Sequence, residues 1–266
     1  MKKFLAVDIG NTSIHFALRK GKAWTSHFSI TTNASEKAVR ALLIKKRALV
    51  RGAEAAIASV VPAKSVVLKK IFRGLGIRAY LIGKDIPVPV KNLYRNPRQV
   101  GVDRLLNALA AYRLYKKELI VIDFGTAITF DVVNRSGAYL GGVIAPGIEI
   151  SLEALFNKTA LLPKIRLAHP REWIGKDTVE SIRVGCSVGI GGLCDRTVEA
   201  VSHKYRLKPM VVATGGYASF MKRYCHTVRR IVPNLILDGI LACTMVSLSN
   251  HQKNPLLVAS QDVRSL

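Results

Sequence analysis

The chain repeats one short pattern about half a chain length apart. Residues 7–10 (VDIG) match residues 122–125 (IDFG), and after a short gap residues 12–16 (TSIHF) match residues 126–130 (TAITF). Each copy ends a short apolar run in a glycine, which is typical of a buried strand that turns sharply. Because such self-similarity indicates a repeated structural unit, the sequence predicts two similar α/β halves with a ligand cleft between them.

The boundary between the two halves is predicted between residues 117 and 118, which gives domains 1–117 and 118–266. In the first half we expect strands at 3–9, 14–20, 23–30, 54–61 and 78–82 and helices at 35–50, 63–74 and 102–117. In the second half we expect strands at 118–125, 127–133, 138–147 and 210–214 and helices at 147–157, 178–205, 216–224 and 238–250.

The charge of the chain is strongly positive. Its 41 Lys and Arg residues face 17 Asp and Glu residues, so the net charge is +24. Such an excess attracts nucleotides, nucleic acids and anionic membrane surfaces. The basic residues lie in short scattered clusters without a long basic arm or an aromatic-rich RNA-binding motif. Nucleic acid is therefore a possible partner but not the favoured one, and a solvated basic surface is the alternative.

The cysteines and the start of the chain bear on location. The four cysteines form no CxxC pair, which indicates reduced thiols in a cytoplasmic protein. The apolar run at the start is interrupted by Asp8 and Gly10, too early for a signal peptide. No run of about 18 apolar residues is present, so we expect no membrane span.

The first copy of the repeat is a candidate phosphate-binding turn. In Asp8–Thr12 (DIGNT) a strand ends in a carboxylate and turns on Gly10, which has no Cβ to block a phosphate. Successive backbone N–H groups in such a turn can bind an anion, and Asp8 can hold Mg²⁺ directly or through water.

The second copy, Asp123–Ala127 (DFGTA), offers the same groups from the other half. A single Asp-x-Gly turn is usually a plain β-hairpin. Two copies at matching positions favour phosphate binding instead. Together they could bind one triphosphate from two sides.

A third candidate, Asn96–Arg104 (NPRQVGVDR), lies where a loop is predicted to become a helix. A helix N-terminus favours anions, so Arg104 could bind a substrate carboxylate and Asp103 could accept a proton from a substrate hydroxyl. Phosphoryl transfer needs little more than alignment, charge neutralisation and such a base. The alternative is a helix-capping Asp beside a solvated Arg.

Two glycine-rich turns, 141–147 (GGVIAPG) and 213–216 (ATGG), could let a ligand approach closely or could be simple strand-to-helix turns. The chain has no GxxxxGK[ST] sequence, so a P-loop is excluded as the phosphate-binding element.

Together these residues resemble the type III pantothenate kinase family, a branch of the acetate- and sugar-kinase and actin-like superfamily. The resemblance extends from residue 4 to about residue 245, and its pieces occur in the order of the family: DIGNT, NPRQVGVDR, DFGTAITFD, GGVIAPG, GKDT, ATGG and LILDG. It implies an α/β fold with two duplicated domains, similar to actin and ribonuclease H, and a central cleft.

The activity that the resemblance implies is ATP-dependent phosphorylation of pantothenate on its terminal hydroxyl, the first step of coenzyme A biosynthesis. The implied ATP-binding positions are Asp8, Ile9, Gly10, Asn11, Thr12, Ser13, Ile14, His15 and Thr126. The implied pantothenate-binding positions are Tyr94, Gly101, Val102, Asp103, Arg104 and Thr178, with Asp103 as the proton acceptor. Asp123 matches the site of a monovalent cation, potassium or ammonium, and Mg²⁺ and a homodimer are also implied.

The chain departs from the family pattern at His15, where the family usually has a basic residue, often Lys. An unperturbed His is mostly uncharged at neutral pH, so phosphate attraction there is weaker. Val102 and Tyr217 are mild variants beside the motifs. Three other interpretations remain open: a kinase of the same fold acting on another hydroxyl substrate, a non-catalytic transcription accessory protein, and an inactive paralogue, against which the intact Asp8, Asp103 and Asp123 argue.

Overall fold

The structure is a computed structural model that describes residues 3–253. Its strands are β1 Lys3–Ile9, β2 Ser13–Lys20, β3 Ala23–Thr31, β4 Ala53–Ser59, β5 Arg78–Leu81, β6 Leu119–Phe124, β7 Ala127–Val133, β8 Tyr139–Pro146, β9 Met210–Thr214 and β10 Arg230–Ile231. Its helices are α1 Glu36–Lys45, α2 Arg47–Val50, α3 Pro62–Gly74, α4 Val102–Tyr115, α5 Ile148–Lys158, α6 Thr178–Val184, α7 Ile190–Tyr205, α8 Ala218–Met221 and α9 Leu235–Lys253, with a π-helical segment Gly185–Gly189 between α6 and α7.

The strands form two five-stranded sheets with the same topology. The first sheet has the order β3-β2-β1-β4-β5 and the second, read from its other edge, the order β8-β7-β6-β9-β10. In each sheet the central strand pairs antiparallel with the next strand of its hairpin and parallel with a later strand. The repeat found in the sequence therefore corresponds to a repeated sheet.

The strand register explains the gap in the sequence repeat. In the first sheet Asp8 lies opposite His15 and Ile9 opposite Ile14. In the second sheet Asp123 lies opposite Thr129 and Phe124 opposite Ile128. The first turn is thus one residue longer than the second, while the paired positions on either side of it correspond.

The described chain divides into two compact units by its internal packing. The first contains the residues up to Pro89, Gly101–Leu109 and the described residues from Ile236 onward, and the second contains Val90–Val100 and Ala110–Leu235. Each unit has its own apolar core around its sheet. The predicted domains 1–117 and 118–266 follow the sequence repeat, and their bounds stay a prediction. The compact units have other bounds, because α9 belongs to the first unit although it lies in the second half of the sequence.

Side-chain caps mark the beginning of two helices. The Oγ atom of Ser35 accepts a hydrogen bond from the Ala38 N–H and caps α1, as predicted. The predicted helix 35–50 is interrupted at Lys46, which leaves the helical conformation with ψ near 10°. A carboxylate oxygen of Asp177 caps α6 by accepting from Glu180 N–H at 2.8 Å.

Three details differ from the prediction. The helix expected at 178–205 contains the π-helical segment, and the helix expected at 216–224 is only the short α8. The two-residue strand β10 was not predicted. Within residues 3–253, no helix has both the length and the apolar character that crossing a bilayer would take.

Candidate active site

The first glycine turn is held rigidly at the end of β1. The Gly10 N–H donates to the Ser13 carbonyl at 3.0 Å, and the Thr32 hydroxyl donates to the Gly10 carbonyl at 2.7 Å. Asn11 and Thr12 are exposed at the tip of the turn, so their polar groups are presented to solvent. The tip of the turn is therefore accessible to an anion, and phosphate binding there stays a prediction.

The predicted ATP-binding residues 8–15 do not all present their side chains. Ile9 and Ile14 are fully buried in the core of the first unit, so only their backbone could meet a ligand. Asp8 and His15 are partners across the β1–β2 pair, and the Ser13 hydroxyl lies 2.7 Å from Nε2 of His15. Burial lowers the pKa of His15 below its ordinary value, which favours the uncharged imidazole at neutral pH.

The start of α4 lies beside this turn, within the first unit. The Val60 N–H donates to the Ile9 carbonyl at 3.1 Å, which places the end of β4 against the end of β1. A Cβ on Gly101 would lie 3.6 Å from the Val60 side chain. The segment from Gly101 to Arg104 therefore begins close to the carboxyl ends of β1 and β4, where the first turn is also formed.

Asp103 occupies the first turn of α4 and is half-buried. One of its carboxylate oxygens accepts a hydrogen bond from the Arg104 N–H at 2.9 Å. Burial raises the pKa of Asp103, although this hydrogen bond and the Arg104 charge act in the opposite direction. A carboxylate with a raised pKa is a better proton acceptor near neutral pH than an ordinary one.

Gly101 has no side chain because the Asp103 carboxylate occupies that space. A Cβ at this position would overlap Oδ1 of Asp103. The carboxylate thus folds back over the residue that precedes α4, and the glycine allows it to do so. Arg104 is buried beside it.

The second glycine turn lies between two other glycines of the second unit. A Cβ on Gly147 would lie 2.7 Å from the Gly125 carbonyl oxygen and would overlap the Thr126 carbonyl. A Cβ on Gly215 would lie 2.6 Å from the Phe124 carbonyl oxygen and would overlap Oδ1 of Asp123. The exposed Thr126 thus belongs to a turn against which both Gly147 and Gly215 pack closely.

These contacts give Gly147 and Gly215 a packing role, while the approach of a ligand to the two glycine-rich sequences stays a prediction. Gly147 and Gly215 are needed because another backbone approaches them closely, and the backbone they approach is the candidate phosphate turn itself. The sequence signal was the position of each glycine directly after a strand of the second sheet.

Among the glycines of α6 to α7, Gly191 packs closely, since its Cβ would lie 2.7 Å from that of Tyr224.

Tyr94 and Thr178, the remaining predicted substrate residues, belong to the second unit. The Tyr94 ring lies 6.5 Å from the Tyr139 ring, over Gly141 of β8. Thr178 begins α6 and lines a polar pocket of about 400 Å³ with Arg171, Glu180 and Arg183 among others. Asp103 and Arg104 belong to the first unit, so the meeting of these two groups at one substrate stays a prediction.

The carboxylates at the strand ends fit the predicted metal ions. Within the described residues, no three His, Cys, Asp or Glu side chains converge on one point. Mg²⁺ commonly binds to one or two carboxylates, substrate phosphates and water, so Asp8 alone fits that pattern. Oδ1 of Asp123 and the Phe124 carbonyl oxygen both lie next to Gly215, and such oxygens are suitable donors for a monovalent cation.

Comparison with known proteins identifies a family. The family model for type III pantothenate kinase matches residues 4–200. The chain is 36% identical to the type III pantothenate kinase of Syntrophotalea carbinolica over 89% of its own length and 96% of the relative's. The type III pantothenate kinases of Geobacter sulfurreducens and Moorella thermoacetica are also 36% identical, with the same coverage.

Solved structures share the fold at low sequence identity. A conserved Baf family transcriptional activator from Campylobacter jejuni superposes with a TM-score of 0.61 at 18% identity, over 92% of this chain and 100% of that one. An inorganic polyphosphate/ATP-glucomannokinase from Arthrobacter has a TM-score of 0.50 at 17% identity, over 94% and 100% of the two chains. The predicted α/β fold with duplicated actin-like domains is confirmed, and the cleft between them stays a prediction.

Proposed function

This chain belongs to the type III pantothenate kinase family, and from that membership we propose that it phosphorylates pantothenate with ATP in the first step of coenzyme A biosynthesis. The observation that carries this proposal is Asp103. It is a half-buried carboxylate with a raised pKa on the first turn of a helix, beside the glycine turn that ends β1.

In the proposed reaction Asp103 accepts the proton of the terminal hydroxyl of pantothenate. The hydroxyl oxygen forms a bond to the γ-phosphorus of ATP, and the bond from that phosphorus to the β,γ-bridging oxygen breaks, so that ADP leaves. Little else is required of the protein beyond alignment and charge neutralisation. The raised pKa of Asp103 brings its basicity closer to the working pH, which favours proton transfer.

The substrate-binding roles follow the same proposal. Arg104 binds the pantothenate carboxylate through its guanidinium group, whose fork matches a carboxylate. The backbone of Gly101 and Val102 lies next to the reacting hydroxyl, and Tyr94 and Thr178 contact the remainder of pantothenate.

The nucleotide is bound by the two glycine turns. Residues 8–15 bind ATP phosphates mainly through backbone N–H groups, and the Thr126 hydroxyl adds a contact from the second turn. Asp8 would hold Mg²⁺ and Asp123 would hold potassium or ammonium, and these cations would supply neutralisation of the phosphate charge. Both sites fit by the nature of their oxygen donors, as described above.

We also propose a homodimer, on the basis of an apolar surface of the second unit. A groove of about 480 Å³ between α5 and the α6–α7 region is lined by Leu155, Ile190 and Leu193 among others. Phe156 and Leu193 on its helices are each 41% exposed, and Leu161, which follows α5, is 92% exposed. Light scattering after gel filtration would return a mass near 58 kDa, about twice the 29.1 kDa of one chain, whereas a monomer mass would contradict the dimer.

A cytoplasmic location is supported by four free, buried thiols.

The deciding experiment is a coupled assay of ADP release with ATP and pantothenate, with and without potassium. We expect turnover that depends on pantothenate and increases with potassium. Turnover with a sugar or another alcohol in a panel of substrates, but not with pantothenate, would replace the substrate and keep the reaction. Absence of turnover with every acceptor would contradict the kinase assignment.

A further inference from the structure

A hydrogen bond joins two segments of the second unit that are 68 positions apart in the sequence. The Tyr217 hydroxyl donates to a carboxylate oxygen of Glu149 at 2.5 Å. Tyr217 directly follows the Gly215-Gly216 pair at the end of β9, and Glu149 lies in the first turn of α5, two residues after Gly147.

The two segments joined in this way are those that pack against the second glycine turn. The Cβ position of Gly147 lies against the Gly125 and Thr126 carbonyls, and that of Gly215 lies against Oδ1 of Asp123 and the Phe124 carbonyl. The Tyr217 N–H also approaches the Phe124 carbonyl at 3.3 Å. Three of the glycine contacts are to backbone carbonyls and the fourth is to the Asp123 carboxylate, so little free space is left beside the turn. A small shift of either segment would therefore move the turn or open a gap beside it.

The hydrogen bond lies at the surface and has a charged acceptor. Its acceptor is a carboxylate, and hydrogen bonds to charged groups are stronger than neutral ones. Burial, followed by the bond to Glu149, raises the pKa of Tyr217 to about 12. The phenol therefore remains a donor throughout the range in which a kinase is assayed.

We propose that Tyr217 and Glu149 are a positioning pair, which keeps the Gly147 and Gly215 segments closed on the Gly125–Thr126 turn so that this turn can bind ATP phosphates. The pair acts through the turn and needs no contact with either substrate. This inference rests on the proposed function, since it assigns the pair to the ATP side of that reaction.

The test separates ATP binding from the rest of the reaction. Tyr217→Phe removes only the hydroxyl, so the ring continues to fill its place. We expect the KM for ATP to rise by roughly tenfold, the loss typical of a hydrogen bond to a charged group, while the KM for pantothenate stays within about twofold, as expected when substrate contacts are intact. The Kd of a non-hydrolysable ATP analogue, measured by calorimetry, should rise by the same factor.

Two further variants show whether the bond itself is responsible. Glu149→Gln keeps an acceptor at the same place and loses the charge, so it should raise the KM for ATP by about half as much on a logarithmic scale. In the double variant the two effects should not add, since both single changes act on the same hydrogen bond. Tyr205→Phe is the matched control, because Tyr205 is an exposed tyrosine of the same unit at the end of α7.

The outcomes are distinct. An active wild type whose Tyr217→Phe variant keeps its ATP KM and analogue Kd overturns the positioning role and leaves the kinase assignment intact. Equal losses toward ATP and pantothenate, together with a lower melting temperature, also overturn it, because they indicate a purely structural bond. A wild type that neither binds the ATP analogue nor releases ADP removes the proposed function and this inference with it.

Discussion

Asp8 and His15 lie directly opposite each other in the antiparallel pair β1–β2, and Ser29 flanks His15 from β3. Opposed side chains in such a pair are about 5 Å apart and lie on the same face of the sheet. The imidazole is therefore a neighbour of the carboxylate that we propose for Mg²⁺. Since burial lowers the pKa of His15, this position carries little positive charge at neutral pH.

Substitution of His15 by Lys should therefore improve ATP binding. A permanent positive charge near the phosphates should lower the KM for ATP by about two- to fivefold at pH 7.5, the usual size for partly exposed ion pairs. The ratio of the wild-type KM to the variant KM should approach one only as the pH falls through the pKa of His15, which burial holds below the ordinary 6.5, because His15 becomes charged there. Initial rates across this pH range give the ratio.

His27→Lys is the control for this substitution. His27 is an exposed residue of β3 that lies opposite Ala17, two positions further from the glycine turn. It adds the same charge to the same sheet face at a greater distance. An equal effect from both variants would mean that general charge, and not position 15, is responsible.

Asp103→Asn tests the proposed base. The amide cannot accept the hydroxyl proton, so kcat should fall by about 10²–10⁴, the usual contribution of a general base. ATP binding should survive, because the glycine turns are unchanged. Near-normal turnover of a folded variant, checked by calorimetric titration with the ATP analogue, would remove Asp103 from the mechanism.

The same variant should alter the dependence of stability on pH. The pKa of Asp103 is raised in the folded state above the ordinary value of 3.8. Such a group favours the folded state fully below the unfolded pKa, and that contribution is lost as the pH rises through the folded pKa. Asp103→Asn should therefore melt at a higher temperature than wild type at pH 7, and the difference should disappear toward pH 4.

A higher melting temperature in wild type at pH 7 would contradict the raised pKa. Scanning calorimetry at several pH values measures the difference directly, and the kcat/KM profile should show an acid limb with a midpoint above 3.8.

The sequence could predict the repeat because the features that define it are local. An apolar run, a carboxylate and a glycine occur together in each copy, and the alignment gap reappears as the longer turn before Ile14. The interruption at Lys46 could not be predicted, because no Gly or Pro marks it. The two-residue strand β10 depends on pairing with β9, which no local pattern records.

In the candidate site, too, local features could be predicted from the sequence and long-range contacts could not. Spacing alone left a capping role for Asp103 as the alternative. Its burial and the position of its carboxylate over Gly101 are seen only in the structure. The bond between Tyr217 and Glu149 was not predictable, since its partners lie far apart in the sequence and meet only through the packing of α5 and α8 segments around the second turn.

Gly101→Ala should separate activity from stability. The added methyl group would overlap a carboxylate oxygen of Asp103, a side-chain atom that can rotate away, and its next neighbours are at least 3.5 Å distant. Displacing the proposed base should lower kcat by at least about tenfold, since misplacement of about 1 Å can cost 10²-fold. The melting temperature should change little.

Gly192→Ala is the control for Gly101→Ala, because it lies in α7 with open space around its Cβ position. It should keep full activity and gain slightly in stability, as Ala is the better helix former by about 1 kcal/mol. If Gly101→Ala kept full kcat, the position assigned to the Asp103 carboxylate would be wrong.

Gly215→Ala and Gly216→Ala compare two adjacent glycines with opposite surroundings. Gly215 has a φ of +91° and backbone against its Cβ position, whereas Gly216 has nothing within 4 Å of that position. Gly215→Ala should lower the free energy of unfolding by at least about 2 kcal/mol through backbone strain and the clash with Phe124. Gly216→Ala should stay within about 0.5 kcal/mol of wild type, as exposed substitutions usually do.

The same pair also tests the cation site, because the methyl group that Gly215→Ala introduces is expected to displace the Asp123 carboxylate. Potassium should then stimulate ADP release by the Gly216→Ala variant. It should not stimulate ADP release by the Gly215→Ala variant, assayed below the melting temperature of that variant so that the protein is folded. Potassium stimulation that remains unchanged in Gly215→Ala would show that the cation binds away from Asp123, and equal stability of the two variants would contradict the close packing of Gly215 on the second turn.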